Sequence, residues 1–474
     1  MGKYEKILAV LFLLSLPLIN PWVRGDGVGY YAFARAILLE HRLDFEPDWQ
    51  NANASFRLGR IDPEGHIRPT EYTSTGHLDN HFSIGPAILW SPFLLAAEAV
   101  VKFDHVFGGH LAENGFSFPY VAAMALGTAF YSFLGLFLSF RLARKYLGER
   151  WAFLGTIGIW FASSLPVYMY FNPSWSHAHS AFVVALFFWY WDRTRGGRTW
   201  TQWLVLGAIS GLMLDVYYVN GVLLIVPLIE SLQDYWRGIR ERRMDDAGKL
   251  FLQNLLFSLT ICVVFLPTLI SKRIIYGHYL DFGYHEPWSF ASPALLHVAF
   301  ASEHGLFSWT PIVLLSVIGL VLLHRRDRML SLCCVAAFAI YLYAIGCYND
   351  WAGISSFGSR FFVSLTPLFI LGLAAFFDSL ASVITERRAN IVATATVSVL
   401  ILWNAGMIFQ WGTHLIPARG PISWRDAAYN QVAVVPEQAA RTIGSYFMRR
   451  KQLMGHIEGQ DVEQLKAAPS EDTK

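Results

Sequence analysis

Directly after a first apolar stretch, Ile7 to Val23, stands the run Arg24-Gly25-Asp26-Gly27-Val28-Gly29-Tyr30-Tyr31. Three glycines around one carboxylate let a backbone approach a bulky substrate closely, and a carboxylate at the end of an apolar segment can take a proton from an attacking hydroxyl or amine. The plain alternative is a Gly-Asp turn that ends a helix. Asp26, however, stands at the head of a long loop that runs from Arg24 to Pro119, which favours chemistry.

Further groups of the same kind recur. Asp79, Asn80 and His81 precede Phe82-Ser83-Ile84-Gly85-Pro86, and His177 and His179 follow Pro173. Two histidines two residues apart on a helix point about 200° away from each other, which makes them poor joint metal ligands and better suited to interfacial hydrogen bonds. Glu303-His304-Gly305-Leu306-Phe307-Ser308-Trp309 leads into one apolar segment, and Trp351 to Arg360 leads into the segment after the next. An arginine at such a mouth can grip phosphate oxygens with its two-pronged fork, or simply snorkel to the interface. Lys272 and Arg273 form a second basic pair that anchoring explains equally well.

Asp26 with Asp79 or Glu303 is conceivable as a divalent-metal site, but sequence spacing supplies no geometry for one, and no cofactor is expected. The four cysteines, Cys262, Cys333, Cys334 and Cys347, fall within or at the ends of apolar segments and read as buried small hydrophobes, without a disulfide framework.

The elements that must position these groups are membrane helices. Of 474 residues 54% are hydrophobic and 15% charged, against roughly 25% charged in a soluble domain. Apolar runs long enough to cross a hydrocarbon core of roughly 30 Å recur, and no ten-residue alternation suggests a barrel. They fall near 7–23, 119–140, 151–171, 178–191, 201–218, 219–232, 250–270, 309–323, 329–346, 361–377 and 391–410, about eleven spans. Five links are basic: Arg141 to Arg150, Asp192 to Arg198, Gln233 to Arg243, His324 to Arg328 and Glu386 to Arg388. An uncleaved first helix with its N-terminus in the cytoplasm puts all five inside. That requires Ile84 to Val101, interrupted by Pro86 and Pro92, to stay on the outer face as a juxtamembrane or re-entrant helix. The transmembrane unit then covers 1–410, with outer loops 24–118 and 271–308. Residues 411–474 form an outer tail, polar enough from about Gly455 to be disordered.

Together the Gly-Asp-Gly-x-Gly-Tyr-Tyr run, the Asn80 to Trp90 segment with its Gly-Pro, the His304-Gly-Leu-Phe-Ser-Trp-Thr-Pro stretch and the Trp351 to Arg360 stretch resemble bacterial GT-C glycosyltransferases of the protein-mannosyltransferase and aminoarabinose-transferase kind. The resemblance runs from about Leu8 to Trp411 and rests on the order of loose motifs. It implies an all-α polytopic GT-C-like bundle with juxtamembrane helices in the first outer loop. It also implies an inverting enzyme of the inner or plasma membrane that uses a polyprenyl-phosphate sugar, with a periplasmic site and a catalytic aspartate in that loop. Asp26 matches the aspartate. The Asp-Glu pair of the mannosyltransferases is absent, because Gly27 follows Asp26. The aminoarabinose group's basic residue before its proline segment has no lysine here, and His81 is the nearest candidate.

On this basis Asp26 orients or deprotonates the acceptor, while Arg360, with His304 or His81, stabilises charge on the leaving lipid phosphate. Tyr30, Tyr31, Asn80, Glu303 and Trp351, in the same motifs, are the candidate substrate contacts. The expected partners are the lipid-linked donor, an envelope glycan, lipid or protein as acceptor, and the bilayer, with no nucleic acid. A transporter or flippase is the rival from another class, and nearly charge-free spans disfavour it. A glycan polymerase or ligase acting on diphosphate-linked donors is the enzymatic alternative.

Overall fold

A computed structural model describes residues 2–241, 244–284 and 287–467. The longer helices are α1 (Lys3–Ser15), α2 (Gly27–Arg35), α3 (Gly85–Val106), α4 (Phe118–Ala162), α5 (His177–Thr194), α6 (Trp200–Val216), α7 (Ile225–Arg240), α8 (Met244–Tyr276), α9 (Ile312–Leu322), α10 (Arg328–Cys347), α11 (Thr366–Val383), α12 (Glu386–Gly412), α13 (Trp424–Ala433), α14 (Val435–Met448) and α15 (Arg450–Ala467). Among the described residues there are only isolated β-bridges, such as Trp288 to Tyr348. The chain is an all-α polytopic membrane protein. Six described helices are long and apolar enough to cross a membrane by length and composition. The sequence reading of about eleven segments is larger because several are short or interrupted. Two of them share the 45-residue α4, which breaks at Gly148 (φ 78), and another begins as the 3-10 turn Tyr218–Leu224 before α7.

The bundle has two unlike ends. At one, the basic links meet acidic partners: Arg141 and Arg144 both stand 3.0 Å from Glu5, Lys145 lies 2.7 Å from Asp192, and Arg195 joins Asp192 to Asp327. Arg150 pairs with Glu386 at 3.2 Å, Arg198 with Glu230 at 2.6 Å and Arg326 with Asp378 at 2.9 Å. Four of the five links thus gather on one face. The fifth occupies the last turns of α7 and continues past it, and its Arg242 and Arg243 fall outside the described residues. Glu5 and Asp192 are buried, and each is shared by two basic side chains, so a buried charge is stranded, at a cost of about 3–5 kcal/mol, only when both partners are removed. Asp26 lies at the other end, beyond the C-terminus of α1.

Small residues bring the helices close, as packing between apolar surfaces requires. A Cβ on Gly319 of α9 would stand 1.8 Å from the carbonyl oxygen of Gly372 on α11. Side-chain caps start several helices: the Asp327 carboxylate accepts from Leu330 N at 2.8 Å, and Thr199 and Gln202 form a capping box.

Helix α3 is long enough to span, yet its partners keep it at the Asp26 end. Its start abuts the C-terminus of α6, where a Cβ on Gly85 would stand 2.3 Å from Val216 N. From there it runs antiparallel to the first part of α4: Trp90 Nε1 donates to Thr128 Oγ1 at 2.8 Å, and Tyr120 OH donates to Glu98. The chain therefore leaves and returns on the same side. The first loop is tied internally by the buried Arg35, whose Nε and Nη2 grip Asp48 at 2.6–2.9 Å.

Beyond Trp411 the chain folds back over the Asp26 end. The stretch that composition reads as disordered from about Gly455 is helical in α15 as far as Ala467, and 468–474 lie outside the described residues. Tertiary partners hold it there: Glu458 accepts from Asn53 Nδ2 at 2.9 Å and Ser55 N at 2.6 Å, and Asp461 pairs with Arg24 at 2.5 Å.

Candidate functional site

Asp26 is the residue before the first turn of α2, and its Oδ2 lies 2.9 Å from Arg360 Nη1. Arg360 opens the 3-10 turn Arg360–Leu365 that leads into α11. Trp175 joins the two. Its indole N–H donates to the Arg24 carbonyl at 3.0 Å, and the guanidinium carbon of Arg360 stands 4.8 Å over its ring. Such cation–π contact holds the guanidinium plane in one orientation. Arg360 Nε is buried and, among the described residues, has no hydrogen-bond partner, so the fork keeps a donor in reserve.

The glycines around Asp26 serve close approach, but to the protein's own side chains. A Cβ on Gly27 would lie 1.9 Å from Ser174 Oγ, and one on Gly29 would lie 2.1 Å from Phe82 Cδ2. Gly25 adopts φ +53 against Trp175, a conformation that favours glycine. The expectation that these glycines make room for substrate is thereby corrected: they let α2 seat against Ser174 and Phe82 and so set where Asp26 points.

The pair opens into a cavity of about 1630 Å³. Of the residues singled out from sequence, Asp26, Tyr30, Asp79, His81, His177 and Arg360 line it. Burial first, and the Asp26 charge second, push the Tyr30 phenol upward, so it stays a neutral hydrogen-bonding group.

Tyr31, Asn80, Glu303, His304 and Trp351 are not among the lining residues. Tyr31 OH donates to the Gly115 carbonyl at 2.6 Å, and the buried Asn80 donates to Gly29 O at 3.0 Å, which ties the 79–82 turn to α2. Trp351 packs against His297 with tilted rings, centroids 6.0 Å apart, and Glu303 is half-buried in the loop ahead of His304. His304 is buried with φ 54. Its Nδ1 donates to Ala352 O at 2.8 Å, which secures the loop that delivers Arg360. Burial, reinforced by the Arg360 charge and opposed by the Ala352 carbonyl, pushes its imidazole down to about 4. His179 packs edge-on to Trp90 at 5.1 Å, away from His177.

Sequence reasoning missed Trp175, Tyr217, Tyr348 and Asp350 as cavity residues, and also the whole C-terminal wall contributed by α12, α14 and α15. Trp175 lies two residues before His177 and looks like one more interfacial tryptophan. No local pattern separates it from the others. Among the described residues no group of three or more His, Cys, Asp or Glu side chains can hold a metal ion.

No protein-family profile matches the chain, and no curated protein does. Among solved structures it is similar to ArnT from Cupriavidus metallidurans bound to undecaprenyl phosphate. That similarity has 15% identity and a TM-score of 0.49, over 96% of this chain and 76% of that one. It is also similar to the archaeal oligosaccharyltransferase AglB from Archaeoglobus fulgidus in complex with an inhibitory peptide and a dolichol-phosphate. There the identity is 12% and the TM-score 0.45, over 97% of this chain and 56% of that one. At these identities the likeness is one of helix arrangement.

Proposed function

We propose that this chain is an inverting glycosyltransferase that moves a sugar from a polyprenyl-phosphate donor to an acceptor at the extracytoplasmic membrane face. One observation carries the reading: a carboxylate and a guanidinium, 2.9 Å apart, share a single cavity whose wall continues onto exposed apolar residues of α12 and α14. Leu402 and Val399 on α12, with Ile443 and Phe447 on α14, are each at least half exposed and line that cavity. A site for a water-soluble donor has no use for such an apolar rim, whereas a lipid-linked one does.

In this reading Asp26 accepts the proton of the acceptor hydroxyl or amine. The freed lone pair attacks the anomeric carbon from the face opposite the phosphate, and the glycosidic C–O bond breaks with inversion. Its electron pair leaves on the lipid phosphate. Arg360, with His81 at the same cavity wall, meets that growing charge. The acceptor is an envelope glycan, lipid or protein. In this reading the basic end of the bundle is cytoplasmic, which its excess of arginine and lysine supports, with the N-terminus inside and Asp26 outside.

Transport is the weaker reading because the spans are almost free of charge, and of the two acidic side chains near their ends Glu230 is paired with Arg198 while Asp215 accepts from Thr268 Oγ1 at 2.6 Å through one of its two oxygens.

The test is sugar transfer by the purified protein from labelled polyprenyl-phosphate donor, beside Asp26→Asn. A loss of about 100-fold or more is expected, the size of a positioned general base. Full turnover by Asp26→Asn removes Asp26 from the chemistry, and substrate uptake into proteoliposomes without product supports a transporter. A donor requirement for diphosphate-linked glycan supports a polymerase or ligase.

A further inference from the structure

His81 stands on the cavity wall, and the backbone that carries it is gripped from a neighbouring helix. The grip comes from the last turns of α8. Lys272 is fully buried, and its Nζ donates to Asn80 O at 2.8 Å and to Phe82 O at 2.9 Å, the carbonyls on either side of His81. Two carbonyl oxygens aimed at one buried point repel each other unless a donor sits between them, and the bond that Phe82 O also accepts from Tyr218 OH is the longer one, at 3.4 Å.

One helical turn later on the same face, Tyr276 OH donates to Asp79. Thr73 and Thr75 each donate a hydroxyl to Ile275 O at 2.6 Å. On the far side Gly283 closes the turn: a Cβ there would stand 2.1 Å from Tyr276 OH and 3.0 Å from His81 Cβ. The His81 ring lies against Phe82 at 4.1 Å and Tyr284 at 4.9 Å.

We propose that Lys272 is a positioning residue that clamps the backbone on both sides of His81 and thereby fixes the histidine on the cavity wall. An ammonium suits the task because it is compact and carries three donors on a flexible stem, so it reaches both carbonyls from a helix. Its charge is softened by the Phe33 and Tyr276 rings, at 5.7 and 5.5 Å. Through Asn80, which donates to Gly29 O, the same clamp reaches α2, the helix that Asp26 begins. The role of His81 in donor binding rests on the glycosyl-transfer reading. The clamp does not.

The test therefore has a readout that needs no turnover. His81→Cys is made together with Cys262→Ser, which removes the exposed native thiol, and the maleimide labelling rate is compared with Lys272 intact, Lys272→Gln and Lys272→Met. Labelling is expected to fall several-fold in Lys272→Met, with Lys272→Gln between, since its amide reaches one carbonyl. Equal rates in all three proteins overturn the proposal, and Lys272→Gln keeps the comparison open if Lys272→Met fails to fold.

With His81 native, Lys272→Met is expected to lose about 10- to 100-fold in kcat/KM for the donor, mainly through KM, and Lys272→Arg to recover part of it. A labelling change without a change in donor KM upholds the clamp while counting against His81 as a phosphate contact.

Discussion

Arg360 reaches Asp26 with one nitrogen of its guanidinium and stands 4.8 Å over the Trp175 ring, so the head of α2 and the start of the turn into α11 meet through a charge pair and an aromatic face. The geometry depends on a planar fork, which an ammonium cannot reproduce.

Arg360→Lys is accordingly not conservative. It keeps the charge opposite Asp26 but loses the stacking and the spare Nε donor. Transfer is expected to fall about 100-fold, the loss expected when one preorganised donor to a developing anion is removed. Steady-state assays of the variant beside the wild type check this, and wild-type activity refutes the phosphate-gripping role.

Gly27→Ala removes no functional group. Its new Cβ has to displace Ser174, whose Oγ lies 1.9 Å from the ideal position, and the shift is transmitted to the adjacent Asp26. A displacement of about 1 Å costs about 100-fold in rate, so activity is expected to drop while the protein stays monodisperse by size-exclusion chromatography.

His304 links stability to pH. Its folded pKa of about 4 lies below the ordinary histidine value of 6.5. Between those values the unfolded chain binds a proton that the folded chain does not. The folded state is therefore unpenalised above about pH 6.5 and loses up to about 3 kcal/mol as pH falls toward 4. His304→Asn keeps a donor for Ala352 O and tolerates the positive φ, but does not titrate. Its melting temperature is expected to fall less than the wild type's between pH 7.5 and 5, as thermal unfolding in detergent will show.

Asp461 pins α15 over the cavity. It meets Arg24 at 2.5 Å and His414 Nε2 at 3.2 Å, and against the upward push of burial these partners hold its carboxyl below the usual range. Asp461→Asn is expected to loosen α15 and to raise limited-proteolysis cleavage between α14 and α15 several-fold. An unchanged cleavage pattern shows that the remaining contacts, among them Glu458 with Asn53, suffice.

Local pattern carried a large part of this protein. Apolar runs separated by short basic links mark the two ends of the bundle, because charge is costly in hydrocarbon and each run has to bury its own backbone polar groups. The observed ion pairs among four of those links follow that division. Asp26 stood out because glycine on both sides of a carboxylate is a local signal.

Tertiary structure decided what stands beside it. Arg360 was a candidate among several basic residues until folding set it against Asp26 and over Trp175. His304, which looked equivalent, ended behind the wall. Lys272 looked like an anchor and lies buried between two carbonyls. The polar tail folded into helices because distant partners, Arg24 and Asn53, receive its carboxylates. Contacts between residues so far apart in the chain leave no trace in periodicity or composition, since each depends on how the helices pack and not on the residues next in line.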